Sequence, residues 1–196
     1  FNSTKNNLNA KLTCFVPLKD ACEINVLTLS NHSDIDKDIT LHGMVEFCLW
    51  NAIDDQTNFQ RNLNIGEVEI DDHTIYHKTE YRERRNHFSF FYSSVKHNGF
   101  DSDLDTFLGL YNSYNSPDAV MNKTSYNSIA SGWSPIGCHQ LNIALKPHEE
   151  KTIIFLLGYV ENDDEKKFAS VNVINKEKAY LLQEKYNSKE KVEKSF

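Results

Sequence analysis

The chain has 196 residues, 39% hydrophobic and 12% aromatic, enough for one sizeable core and at most two domains. Its 28 acidic against 21 basic residues leave a formal net charge of −7, which argues against nucleic acid or an anionic membrane as the main partner. No apolar stretch reaches the roughly 18 residues of a membrane helix and no signal-peptide pattern opens the chain, so a cytoplasmic setting is expected. Because the first residue is Phe1 and not Met, the chain is expected to be a piece of something longer.

Asn2 to Asn9 is polar and reads as a frayed end or a turn. From Ala10 to Val16 apolar and polar residues alternate, the periodicity of a strand, and Pro17 ends it. Glu23 to Ser30 is a second strand and Ile39 to Trp50 a long third. The short polar turn between them, within Asn31 to Asp38, predicts an antiparallel hairpin. Gly66 to Ile70 and Thr74 to Lys78 form another hairpin around Asp71, Asp72 and His73, and Phe88 to Val95 is aromatic and β-prone.

Asp103 is placed to cap a short helix, about Asp103 to Gly109, carrying Leu104, Phe107, Leu108 and Leu110 at helical spacing, whereas Asn112 to Ser128 reads as a long loop. Cys138 to Leu145 and Lys151 to Val160 are expected to make a last hairpin, with Pro147 in its turn. The unbroken apolar run Ile153 to Leu157 predicts a strand buried on both faces. Beyond Lys176 the pattern turns helical, with Ala179, Leu182 and Tyr186 spaced three and four apart, as in a linker helix leaving a β domain. Cys14, Cys22, Cys48 and Cys138 form no CxxC pair and read as reduced core or near-core thiols. The architecture that follows is all-β, an antiparallel sandwich over residues 1–168 with a linker segment over 169–196.

The stretch with most chemistry is Trp50 to Gly66. It follows an apolar strand and carries Asn51, Asp54, Asp55, Gln56, Asn58, Arg61, Asn62 and Asn64, with Trp50 and Phe59 interleaved. Amides, carboxylates and a guanidinium read hydroxyl groups at fixed geometry, and aromatic faces suit the apolar face of a sugar. The plain alternative is a polar turn capping a strand. Asp54 and Asp55 are adjacent, a poor arrangement for two carboxylates that must flank a glycosidic bond. His73 and His77 do not have metal-ligand spacing on β structure, and Arg82, Arg84 and Arg85 have Glu80 and Glu83 beside them. No GxSxG elbow, phosphate loop or dinucleotide glycine pattern occurs. The residues describe a polar, aromatic-lined binding surface without a complete catalytic apparatus.

Several stretches together are specific. VEFCLWNAIDDQTNFQRNLNIGEVEI, IYHKTEYRERRNH, FLGLYN, NSIASGWSPIGCHQL and FLLGYVEN occur in that order. They resemble the N-terminal β-domain of cellobiose phosphorylases, a supersandwich of the galactose-mutarotase-like kind. That resemblance implies an inverting, dimeric, cytosolic phosphorylase converting cellobiose and phosphate to α-glucose 1-phosphate and glucose. It implies no cofactor, inorganic phosphate being a co-substrate.

In such enzymes an (α/α)6 barrel carries the general acid and most of the phosphate site. The barrel and the first strands of the sandwich are expected to be missing here, so this chain is expected to be inactive alone. The resemblance assigns Asn51, Asn58 and Arg61 to the acceptor-sugar subsite, with a disaccharide or glucose and the enzyme's own barrel as partners. A stand-alone carbohydrate-binding module and a purely structural, dimer-forming sandwich are the competing readings.

Overall fold

The computed structural model describes residues 1–47, 66–79, 86–132 and 134–195. The strands are β1 (Asn2–Lys5), β2 (Leu8–Phe15), β3 (Cys22–Asn31), β4 (Lys37–Glu46), β5 (Gly66–Ile70) and β6 (Thr74–Thr79). They continue as β7 (His87–Ser93), β8 (Gly99–Asp103), β9 (Pro135–Leu145), β10 (Glu150–Glu161), β11 (Phe168–Ser170) and β12 (Val173–Ile174). Short helices are α1 (Leu104–Leu108) and α2 (Asp118–Met121), and the tail carries α3 (Glu177–Tyr186) and α4 (Lys189–Glu193). Among the described residues the strands form a seven-stranded sheet, β1-β2-β3-β10-β7-β6-β5, a three-stranded sheet, β4-β9-β8, and the small pair β11-β12. The main pairings are antiparallel, as an antiparallel sandwich requires.

β10 lies at the centre of the large sheet, between β3 and β7. Its side chains alternate between two cores. Ile153 and Phe155 join Leu27, Leu29, Ile75 and Phe91 in the sandwich interior, against Leu141, Ile143 and Leu145 of β9. Ile154, Leu156 and Val160 face the other way, with Ile24, Tyr76, Phe88 and Phe90. That second face is covered by the tail: Ile174, Ala179, Tyr186 and Val192 are all buried in the same cluster. The helix expected as a departing linker therefore docks on the sheet. Asp20 receives Tyr186 Oη and the Lys185 ammonium, the latter at 2.6 Å, and these bonds hold its carboxyl below the usual range. Gly158 lies opposite Phe90; a Cβ there would sit 2.2 Å from the ring, so a side chain is excluded by close approach.

Three expectations are corrected. Asn2 to Asn9, read as a frayed end or a turn, does hold a turn, but as part of a hairpin of β1 with β2. Asn6 and Asn7 have φ of 51° and 58°, the left-handed pair that closes a two-residue turn between β1 and β2. Cys14 is exposed: Leu8, Ala10 and Leu12 on its strand reach the interior cluster, but Cys14, opposite Asn25, lies past its end. Cys22 and Cys138 are buried, and burial raises the Cys22 thiol to about 11. Cys48 lies outside the described residues.

The third correction concerns topology. β3 and β4 do not pair, and neither do β9 and β10. In each case the chain turns and crosses to the other sheet, so β4 pairs with β9 while β3 pairs with β10. The two sheet-switching turns lie together and Asn31 joins them. Its backbone N–H donates to Glu149 O at 3.0 Å. Its amide Nδ2 donates to Ile35 O at 2.8 Å and to Lys146 O at 3.0 Å, with Leu145 O sharing at 3.3 Å. Its Oδ1 accepts from Ser33 N and Ser33 Oγ at 3.0 and 2.6 Å. An amide has two N–H donors and one carbonyl, and all are used here.

The interior also holds a histidine pair. His139 is fully buried, stacked on Phe91 at 5.2 Å, and its Nε2 lies 2.9 Å from Phe91 O. A carbonyl only accepts, so Nε2 carries the proton and Nδ1 accepts from His97 Nδ1 at 3.1 Å. Burial pushes the His139 imidazole down to about 3, and His97 is lowered by the same cause.

Two predictions follow from this packing. Asn31→Ala strips partners from buried carbonyls and should cost about 1–3 kcal/mol in urea unfolding, whereas Ser30→Ala, at an exposed bond to Glu150, should change stability by less than about 0.5 kcal/mol. Equal effects would show that Asn31 does not hold the two turns together. For His139 the folded value lies below the ordinary 6.5, so the unfolded chain binds more protons between the two values and stability rises with pH there. The stabilisation is complete above about pH 6.5 and is lost as pH falls toward about 3, at up to about 1.4 kcal/mol per pH unit for this group. Urea midpoints at pH 7 and pH 5 should differ less for His139→Gln than for the parent chain.

Candidate functional site

Asn51, Asn58 and Arg61 lie outside the described residues, as do Asp54, Asp55, Arg82, Arg84 and Arg85. What the structure places is the frame at both ends of their segment. Upstream, Phe47 closes β4: its N–H donates to Pro135 O at 3.1 Å, and its ring stacks on His77 at 5.1 Å and 13°. Downstream, Gly66 opens β5 opposite Thr79 at the edge of the large sheet. The chain therefore leaves the small sheet and returns on the large one.

The returning strand is held by charge. Lys78 is buried, and its ammonium lies 2.8 Å from Glu67 and 3.5 Å from Glu69 and donates to Asn172 O at 2.6 Å. Glu69 also pairs with Lys176 at 2.9 Å and accepts from Ile174 N at 3.0 Å. Lys176 in turn sits 4.6 Å over the Tyr76 ring. A buried ammonium is costly without such partners, and here they join β5, β6 and the tail. The facing pair Glu67 and Lys78 was visible in the sequence as opposite charges across a hairpin, a signal the motif reading did not use.

The long loop beside the segment is ordered by a buried carboxylate. Asp101 on β8 is fully buried and accepts from Tyr126 N at 3.1 Å, Ser128 N at 3.2 Å and Ser128 Oγ at 2.8 Å. Ser102 Oγ donates to Ser128 O and accepts from Ala130 N, both at 2.8 Å. Asp103 caps α1 through Thr106 N at 2.8 Å, as the spacing predicts, and Gly109 ends that helix at φ 81°. Tyr114 Oη donates to the Glu46 carboxylate at the end of β4, and Glu67 bridges to Ser131. The stretch from Tyr114 to Ser131 thus reaches the residues flanking the segment, Glu46 and Glu67, and Tyr111, Tyr114 and Tyr126 are exposed.

His73 and His77 play separate roles. His77 is buried against Phe47, and His73 donates from Nδ1 to Ser93 O at 3.0 Å. No helix among the described residues is long and apolar enough to cross a membrane.

Residues 1–189 match the family described as "Glycosyl hydrolase 94, supersandwich domain". The chain is 27% identical over 175 residues to the N,N'-diacetylchitobiose phosphorylase of Vibrio furnissii, covering 85% of this chain and 21% of that protein. It is 28% identical over 173 residues to the Vibrio proteolyticus protein of the same name, with the same coverage of 85% and 21%. It is 28% identical over 151 residues to the solabiose phosphorylase of Paenibacillus borealis, covering 76% of this chain and 20% of that protein. The chain thus spans about a fifth of the length of the curated relatives it matches. None of these three is named for cellobiose, the sugar expected from the motifs.

Removing the Asp101 carboxylate should free the loop that borders the segment. Asp101→Ala should cost about 1–3 kcal/mol and speed amide exchange at Tyr126 and Ser128. Asp103→Ala, which removes only a helix cap, should cost about 1 kcal/mol and leave exchange at those two amides unchanged. Hydrogen exchange that rises equally in both variants would show that the carboxylate does not order the loop.

Proposed function

The chain belongs to the glycosyl hydrolase 94 supersandwich domain family, and from that premise we propose that it is the N-terminal, sugar-side domain of a disaccharide phosphorylase. The observation that carries this reading is the match over residues 1–189, together with three relatives that are named as disaccharide phosphorylases. The reaction is an inverting phosphorolysis. Phosphate attacks the anomeric carbon from one face, the glycosidic oxygen leaves from the other and takes a proton from a general acid. The products are a sugar 1-phosphate of inverted configuration and the released acceptor sugar.

This domain shapes the acceptor side, and a helical barrel elsewhere in the protein supplies the acid and the phosphate site. Asn51, Asn58 and Arg61 bind the acceptor sugar, since two amides and a fork-shaped donor suit a ring of hydroxyls. The frame supports this role: one end of the segment is anchored by Phe47, and the other by the Lys78 network. Cellobiose is the substrate that the motifs favour, and the names of the relatives make N,N'-diacetylchitobiose and solabiose the alternatives. The full enzyme is a homodimer that acts in the cytoplasm.

The chain alone should yield no sugar 1-phosphate from any of the three disaccharides with inorganic phosphate; product above a host-enzyme blank would overturn the division of labour. In the full-length enzyme Arg61→Ala should raise the KM for the acceptor in the synthetic direction by about tenfold, the loss of one charged hydrogen bond. The KM for the sugar 1-phosphate should change less, and the melting temperature should hold. If acceptor and donor constants fall in step with stability, the segment is structural and the assignment fails.

A further inference from the structure

We propose that the open groove between the β5–β6 turn and helix α3 is a second carbohydrate-binding site, sized for one or two hexose rings. Its volume is about 600 Å3, within the range of small-molecule sites, about 300–1,000 Å3. Its walls are the turn Asp71–His73, Tyr92 of β7, and Tyr180, Gln183, Glu184 and Asn187 of the tail. The site exists only because the tail docks back on the sheet.

The polar groups divide by whether the fold already uses them. Asp71 is spent: Oδ1 accepts His73 N and Oδ2 accepts Tyr76 Oη, both at 3.0 Å. His73 is committed at Nδ1, which donates to Ser93 O, so a ligand would meet it at Nε2. Buried Gln183 donates from Nε2 to Thr74 Oγ1 at 3.2 Å and Tyr76 Oη at 3.4 Å, which leaves its carbonyl oxygen as an acceptor in a fixed orientation. Asp72 has one surface ion pair, to Lys96 at 2.8 Å, worth little against a ligand.

The groove therefore presents acceptors of several kinds beside the exposed amide of Asn187, a donor and an acceptor. Tyr180 is 49% exposed on the same wall. Its face can take the C–H side of a pyranose while the ring hydroxyls donate to the acceptors. Asp72 and Glu184 make the walls acidic, which disfavours phosphates and carboxylates. Neutral polyols with an apolar face fit this set of groups.

The groove uses none of the residues assigned to the acceptor sugar: its lining begins at Asp71, one strand's length, roughly 14 Å, beyond Gly66, where β5 starts. The inference goes beyond the proposed function and takes from it only the choice of probes.

The test is an amide NMR titration of the chain with glucose, cellobiose and N,N'-diacetylchitobiose. Shifts are expected at residues 71–73 and 180–187 with at least one sugar. Tyr180→Ala, a change at a half-exposed position, should weaken that binding by about tenfold, as loss of an aromatic anchor does. Glu184→Gln should weaken it by a few-fold, and Arg61→Ala should leave it unchanged. Absence of shifts at 71–73 and 180–187 with all three sugars, or a titration unmoved by both Tyr180→Ala and Glu184→Gln, would overturn the proposal. Failure of phosphorolysis in the full-length enzyme would bear on the acceptor loop and not on this groove.

Discussion

A strand that is apolar on both faces needs a cover on each, and β10 is such a strand. Much of the chain's layout answers that requirement. On one side the three-stranded sheet closes the sandwich over Ile153 and Phe155. On the other, the tail lays Ala179, Tyr186 and Val192 over Ile154 and Leu156. Without the tail, aromatic residues of β6 and β7 would face water together with the outer side of β10. The tail is then part of the domain's core.

Closing the sandwich requires the chain to change sheets, and it does so twice at one place. A sheet-switching turn leaves backbone carbonyls without ladder partners, and buried carbonyls must be paired. Asn31 supplies those partners from a single side chain, bonding the turn after β3 and the turn after β9 at once. An amide can do this because it carries donors and an acceptor on one rigid plane. A carboxylate of similar size has no donor, and a hydroxyl has only one.

The same logic of buried polar groups fixes the surroundings of the two ends of segment 48–65. Asp101 orders a long loop through three bonds from one carboxylate, and Lys78 fastens the edge strand to the tail through two glutamates. Both sites spend buried charge on position, at a desolvation cost that apolar packing would avoid. The loop and the edge strand hold the residues that flank segment 48–65, Glu46 on one side and Glu67 on the other.

Much of this was readable from the residues alone. Alternation located β2, β5 and β6, the run Ile153 to Leu157 gave a strand buried twice over, and Asp103 with Gly109 bounded α1. The spacing of Ala179, Leu182 and Tyr186 picked out the buried face of α3. β1 was missed because it has no apolar residue to show a period; its signal was Asn6-Asn7, a turn pair. The pairing of β3, β4, β9 and β10 was not readable at all. A strand shows the same alternation whether its sequence neighbour lies beside it in one sheet or across from it in another. What decides is register between distant residues, Ile39 with Ile143 and Leu27 with Ile153, and such contacts leave no trace in a local pattern. Period-two alternation states that a residue is inside; only tertiary packing states against what.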